Sequence, residues 1–323
     1  MSAMTTHASS YDTPQSSRGG VVAREDATMR APRDGVTAAA VVARKTWRTL
    51  EPIHGMIYFA PEAAEEYATL GVTGRSGYFG SRAAPMGAVG AEVVVATFFN
   101  FHPDLVRRAM ESVWSTTSPG ALHAARVRAV DLALRRAFGD TIGGDDLARA
   151  AHLARRAAEA ATELPEGRPL FAGHAALEWP TERHLELWHA QTLLREFRGD
   201  GHVAMLVSEG LSGLDALILH AATGEVPRAA LQLTRSWSDG EWDAAVAALH
   251  ARGVVHADGS FTDDGRRLRD GIEAATDRLA AAPYTALGDD GCTELRTLAR
   301  PFSKQVIDGG LLTVDPKRFL EAT

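Results

Sequence analysis

The sequence predicts a mainly α-helical protein: a helical domain, open to an internal duplication, followed by a C-terminal winged helix-turn-helix carrying a short β wing. Apolar residues recur at three-to-four spacing through most of the chain beyond residue 35. Helix-opening signals such as Pro61, Pro119 and the Ser238/Glu241 pair, and the closing signal Gly253, punctuate that pattern. From 215 to 282, three short helical segments precede a turn at Asp258-Gly259 and then a long helical segment.

With 323 residues the chain can bury more than one core. Its 45% hydrophobic and 23% charged residues argue against general disorder and against a membrane protein. A net charge of −7 leaves no overall cationic field to gather phosphates. The single cysteine, Cys292, excludes an internal disulfide and any CxxC site, and fits a reducing cytoplasm. The N-terminus lacks the basic-then-apolar order of a secretory signal. The most apolar stretch, 83–101, contains Pro85 and Glu92 and reads as a loop and a buried helix, not a membrane span.

Residues 1–34 show no hydrophobic period able to bury a face and are expected to form a disordered leader. Next, Ala38, Val41, Val42, Thr46 and Leu50 share a helical face and Pro52 interrupts it, so a first helix of about 15 residues is expected. Pro61 opens a short helix through Leu70, and a glycine-rich turn occupies 71–77. An apolar helix is expected over 89–101, ended by His102-Pro103-Asp104, then further helices over 105–114, 119–138 and 145–163. The segment GRSGYFGSRAA from Gly74 is echoed by GRPLFAGHAA from Gly167, each before a helix that begins near Glu92 or Glu186. A duplicated unit would set two equivalent loops around one cleft, and chance likeness over ten positions is the plainer alternative. The resulting units are 35–140, 141–214 and 215–323.

Within the last unit, a helix through His220 stops at Gly224 and Pro227 starts a second helix that ends near Trp237. Ser238 and Glu241 then form a capping box for a third. Arg252-Gly253-Val254-Val255 closes it, HADGSF from His256 reads as the wing, and TDDG from Thr262 leads into a helix over 266–282. This order resembles the MarR-type winged helix over about 70 residues. That resemblance implies a third helix entering the major groove by its N-terminal residues. Those positions hold Asp239, Glu241 and Asp243, and 215–282 carries eleven acidic residues against seven basic ones. Phosphate contacts require the opposite sign, unless Arg235, Arg252, Arg266, Arg267 and Arg269 converge. The acids also suit plain helix capping.

Four segments, HGMIYFAPEA from His54, YFGSRAAPMG from Tyr78, FNFHP from Phe99 and LREFRGDGHVAML from Leu194, resemble an actinobacterial family described as helix-turn-helix, SalTA-like. The likeness covers about 280 residues, omitting the leader, and implies the architecture more than any chemistry.

Polar residues embedded in those apolar segments are the candidate site. Burial would keep His54 neutral, able to act as a base or ligate a metal, and the alternative is a core histidine bonded to a backbone carbonyl. Tyr58 lies one helical turn on, so His54 and Tyr58 are the catalytic candidates. Tyr78, Ser81 and Arg82 follow the glycine-rich turn, an arrangement suited to an anionic substrate. Asn100 and His102 end the apolar helix, where capping or a protonated His102 would serve. In the second unit Trp188, Arg195, Arg198 and His202 are substrate-binding candidates. Arg198-Gly199-Asp200-Gly201-His202 reads as a site loop, and its charges suit a solvated face equally.

His184 and His189 are five apart, and neither HExxH, a GxGxxG loop, a Walker loop nor GxSxG occurs. No cofactor or metal is therefore expected, while a haem on His54 or His102 stays chemically open. Two functions fit. The first is a cytoplasmic small-molecule-binding protein, an acid/base enzyme without a cofactor, its winged helix not used for DNA. The second is a ligand-responsive regulator whose homodimer presents two winged helices to DNA.

Overall fold

Thr37 opens the first helix by accepting the Ala40 N–H at 3.2 Å, and α1 (Ala38–Gly55) runs through Pro52 instead of stopping there. The carbonyl that Pro52 leaves without a donor belongs to exposed Arg48, within reach of solvent, while Leu50, Ile53 and His54 hold the buried face in place. A 3-10 turn, Met56–Tyr58, continues it. This computed structural model describes residues 37–312, so the leader expected at 1–34 lies outside the described residues.

Two short helices follow, α2 (Pro61–Ala68) and α3 (Gly74–Ala83). The glycine-rich turn expected over 71–77 is thus half helix, and Tyr78, Ser81 and Arg82 sit on α3. The apolar helix expected over 89–101 shrinks to α4 (Ala91–Thr97). Phe98 and Phe101 turn away from it to pack on Phe79, with ring centroids 6.0 and 4.9 Å apart. Next come α5 (Pro103–Met110), α6 (Val113–Thr116), α7 (Pro119–Phe138), α8 (Asp145–Thr162) and α9 (Pro169–Ala175).

The longest helix, α10 (Arg183–Ser208), packs on α1, α7, α8, α9 and the later α14. It carries 198–202 in its interior, which corrects the expectation of a loop there. A Cβ on Gly201 would make only ordinary contacts, 3.4 Å to Arg168 Nη1 and 3.5 Å to Leu279, so the helix carries the glycine without a steric need for it. With 26 residues against the 7 of α4, α10 is no counterpart of it, and the two echoed segments do not introduce equivalent elements. They touch instead: a Cβ on Gly173 would lie 2.8 Å from the Pro85 carbonyl oxygen.

Beyond a tight turn the chain forms α11 (Gly213–Ala221), α12 (Arg228–Arg235), α13 (Asp239–Ala251) and α14 (Asp263–Leu279). The Ser238/Glu241 capping box forms as expected. The two-stranded wing does not: among the described residues it is reduced to one antiparallel bridge, Val255 with Phe261. Asp258 takes both the Ser260 amide and hydroxyl, and Thr262 bonds back to Gly253 and Val254, so the segment closes into a compact turn before strands can extend. Finally α15 (Ala282–Leu287) and α16 (Asp289–Asp308) return to the first helices, α16 lying along α1, α7 and α8.

Two cores result. The larger gathers residues from α1 to α10 together with Leu295, Ala299, Phe302 and Val306 of α16. The smaller contains Leu214, Leu217, Leu231, Trp242, Leu249, Val255 and Ile272 of α11 to α14. No single helix among the described residues is long and apolar enough to cross a membrane.

The two cores meet where α11 begins, because a Cβ on Gly213 would stand 1.9 Å from the Phe99 carbonyl oxygen. Gly213→Ala is expected to lower unfolding free energy by about 3 kcal/mol or more in urea titration. The exposed helical Gly120, with nothing within 4 Å, is the control, and Gly120→Ala should stabilise by about 0.5–1 kcal/mol.

Candidate functional site

Where α1 crosses α10, the fully buried His54 ring lies between Thr192 and Tyr58. The Thr192 hydroxyl donates to the Trp188 carbonyl one turn back at 2.9 Å, a bond that helical threonines make readily. Its oxygen therefore accepts from His54 Nδ1–H at 2.9 Å. The other ring nitrogen, Nε2, is left as an acceptor, and the Tyr58 hydroxyl donates to it at 2.7 Å. Burial holds the His54 pKa well below the ordinary range, and Arg195, Arg126, Arg82 and His174 push it the same way. The imidazole is neutral, with its basic nitrogen presented to a phenol.

Three guanidiniums surround Tyr58, with Arg82, Arg126 and Arg195 at 5.2, 5.6 and 5.4 Å from its ring centroid. Arg82 donates to the Tyr78 hydroxyl at 2.8 Å. Burial raises the Tyr78 pKa, but Arg82, Arg235 and Arg195 outweigh it and bring the phenol below its ordinary range. Two carboxylates answer these cations. Glu196 lies 2.9 Å from Arg195 and 3.9 Å from Arg82, and Glu51 lies 3.0 Å from Arg195. Arg195 keeps 25% of its side chain accessible although protein surrounds it, and Tyr58 and Tyr78 are likewise only half-buried. These partly accessible groups reach from the core toward the surface, and we take them as the mouth of a candidate cleft. Its closed end holds Arg126, 2% exposed, which donates to Ser81 Oγ at 3.3 Å.

Of the sequence candidates, the fold therefore brings together His54, Tyr58, Tyr78, Ser81, Arg82, Trp188 and Arg195. The Trp188 ring lies parallel to His54 with centroids 6.0 Å apart. The other four go elsewhere. Arg198 is held by Asp277 at 2.6 Å and Glu273 at 3.3 Å over the Trp47 ring. His202 bonds Thr276, and burial, opposed by Glu273 and aided by Arg269, Arg198 and His220, lowers its pKa to about 4. Asn100 offers its carbonyl to the Trp237 indole N–H at 3.0 Å. His102 does not end an apolar helix but caps the start of α5: its Nδ1 accepts the Asp104 N–H, so Nε2–H donates to Glu241 at 2.9 Å.

Arg126, Thr192, Glu51 and His174 were not among the sequence candidates. Arg126 had a visible signal, since Leu122, Ala125, Ala129, Val130 and Ala133 mark its face of α7 as apolar. Behind His54, one ring nitrogen each of His123, His174 and His189, and both amide atoms of Gln191, are buried without a protein partner. Among the described residues, no group of three or more His, Cys, Asp or Glu is placed to hold a metal ion.

The N-terminus of α13 faces a different set. Asp239 and Asp243, 86% and 66% exposed, are bonded by Arg228. The arginines that could have offset these acids are engaged elsewhere. Arg235 lies over Phe101, and Arg252 bonds the Glu209 and Gly210 carbonyls. Arg266 covers Phe261, while Arg267 and Arg269 pair with Asp264 and Glu273.

The chain matches the helix-turn-helix family over residues 43–313 and belongs to it. No curated protein and no solved structure matches it.

Burial lowers the pKa of His123 and His189, as of His202, to about 4, and those of His54 and His174 well below the ordinary value. Below pH 6.5 the unfolded chain then binds protons that the folded chain refuses, so this stability is complete above 6.5 and lost as pH falls toward 4. Each such histidine contributes up to about 1.4 kcal/mol per pH unit in that window. Urea midpoints measured from pH 8 to 4.5 should be level down to about 7 and then fall steeply, and a level profile throughout would contradict the neutral histidines.

Proposed function

We propose that this member of the helix-turn-helix family is a cytoplasmic protein that binds an anionic small molecule in the arginine-lined cleft and moves a proton between it and the Tyr58–His54 pair. The observation that carries this reading is a tyrosine hydroxyl aimed at the free nitrogen of a neutral imidazole, inside a ring of three guanidiniums. Placing an anion among Arg82, Arg126 and Arg195 offsets the field that disfavours a charged His54, so the imidazole becomes a better base when the cleft is filled. Tyr58 then takes a proton from the ligand as its own passes to Nε2. Thr192 keeps Nδ1–H in place throughout, and no cofactor enters the step. General acid–base assistance of this kind is worth about 10²–10⁴ in rate.

Native mass spectrometry of the protein isolated without denaturation should reveal a bound anion. Incorporation of solvent deuterium into that anion should then fall by about 10²-fold or more in Tyr58→Phe and His54→Gln. Exchange at the wild-type rate in both variants would remove the pair from the chemistry.

Family membership favours a second reading, in which 215–282 form a winged helix with a residual wing and a dimer responds to the cleft's ligand at DNA. The surface disfavours it, because exposed Asp239 and Asp243 front α13 and Arg235 turns inward over Phe101, leaving Arg266 and Arg267 as exposed cations beyond the turn. An electrophoretic mobility assay at low salt on the gene's own upstream region is expected to show no shift, with the cleft empty or filled. A salt-sensitive shift would make regulation the better reading.

A further inference from the structure

Three arginines of the described chain are buried: Arg82, Arg126 and Arg198. Arg198 has Asp277 and Glu273, and Arg82 has Glu196. Arg126 is the most deeply buried, and among the described residues it forms no ion pair. Its polar neighbours are neutral, the Ser81 hydroxyl at 3.3 Å from Nη1 and the Tyr67 phenol, and its Nε has no partner. A guanidinium cannot shed its proton, so this buried charge stands without a carboxylate partner among the described residues. The ring contacts it makes, 5.6 Å to both Tyr58 and Trp188, leave its Nε–H unused. That is how a binding residue looks when its partner is supplied from outside.

The opposite wall says what else the partner carries. Toward the accessible side lie Tyr58 and Tyr78, both partly exposed, with ring centroids 5.6 Å apart. A flat ring can rest there while an acidic head reaches inward. A bare inorganic anion would make no use of that wall.

We infer that Arg126 is the anion seat of this cleft, and that its ligand is an aryl oxyanion, a planar ring bearing a carboxylate or a phosphate, with the head on Arg126 and the ring against Tyr58 and Tyr78. The inference deepens the proposed function and rests on it for the identity of the cleft. It is independent of whether a proton moves.

Benzoate, phenyl phosphate, benzamide and inorganic phosphate titrated against the full chain separate the possibilities, read by tryptophan fluorescence and by the shift in Tm. Benzoate or phenyl phosphate should bind saturably, and whichever binds tighter identifies the head. Benzamide and inorganic phosphate should bind at least tenfold more weakly. Arg126→Gln should weaken the tighter probe by about 30-fold or more, while the unliganded variant melts at or above the wild-type Tm, because an unpaired buried charge has gone. Arg126→Lys should fall between the two. Retention of binding within threefold in Arg126→Gln overturns the assignment. So does a lower Tm in that variant with loss of near-UV dichroism, which would mark Arg126 as structural. Failure of both aryl anions with wild type, or benzamide binding as tightly as benzoate, overturns the ligand class. Unchanged deuterium exchange in Tyr58→Phe would sink only the proton-transfer reading, since these titrations do not depend on turnover.

Discussion

The hydrogen bond from His54 to Thr192 sets the polarity of the whole cleft. Thr192 has already given its hydroxyl proton to the Trp188 carbonyl, so it can meet His54 only with a lone pair. That forces the imidazole proton onto Nδ1 and turns the lone pair of Nε2 toward Tyr58. An alanine at 192 would leave the ring free to choose either tautomer, and the phenol would lose its fixed direction. Everything chemical in the cleft follows from this commitment of one helical threonine, made on α10 and read out on α1.

Around that axis the protein keeps guanidiniums and carboxylates out of balance. Glu51 and Glu196 are shared among Arg82 and Arg195, leaving Arg126 outside the pairing. A stability-driven core would have replaced such a cation with an aliphatic side chain, because the desolvation cost of an unpaired buried ion amounts to several kcal/mol. Its place beside two tyrosines and a neutral histidine is what the proposed site rests on. The α11 to α14 segment adds a further cation, Arg235, whose side chain is directed at Phe101 and toward Tyr78 rather than at solvent. The α11 to α14 segment thus spends part of its positive charge inward.

Much of this was legible from the residue pattern. Helices α7 and α8 and the capping box of α13 follow directly from proline, serine and glutamate at the right offsets. His54 and Tyr58 could be paired by spacing alone, because i and i+4 share a face even as the α-helix tightens into a 3-10 turn. The failures have particular causes. Pro52 stops a helix only where the orphaned carbonyl has no access to water, and Arg48 lies on the exposed face. Gly199 and Gly201 read as a loop because glycine is a poor helix former, yet the buried face of α10 around them, with Phe197, Arg198 and Asp200, carries the helix through. Arg126 was passed over among alanines because its role is defined by which carboxylates fail to reach it, and that is a fact of tertiary packing.

The clamp on α1 comes from the far end of the chain. Arg296 donates to Thr46 at 2.8 Å and Ser303 to the Thr49 carbonyl at 2.5 Å, across some 250 residues of sequence. The helix that bears His54 is therefore not locked until α16 has left the ribosome and docked. Assembly of the cleft is all or nothing: a nascent or shortened chain can hold most of the helices yet lack a rigid proton acceptor, and contacts this distant in sequence form late because their loop must close first. Late closure thus leaves the His54–Tyr58 pair and the arginines around it unassembled until the last helix is in place.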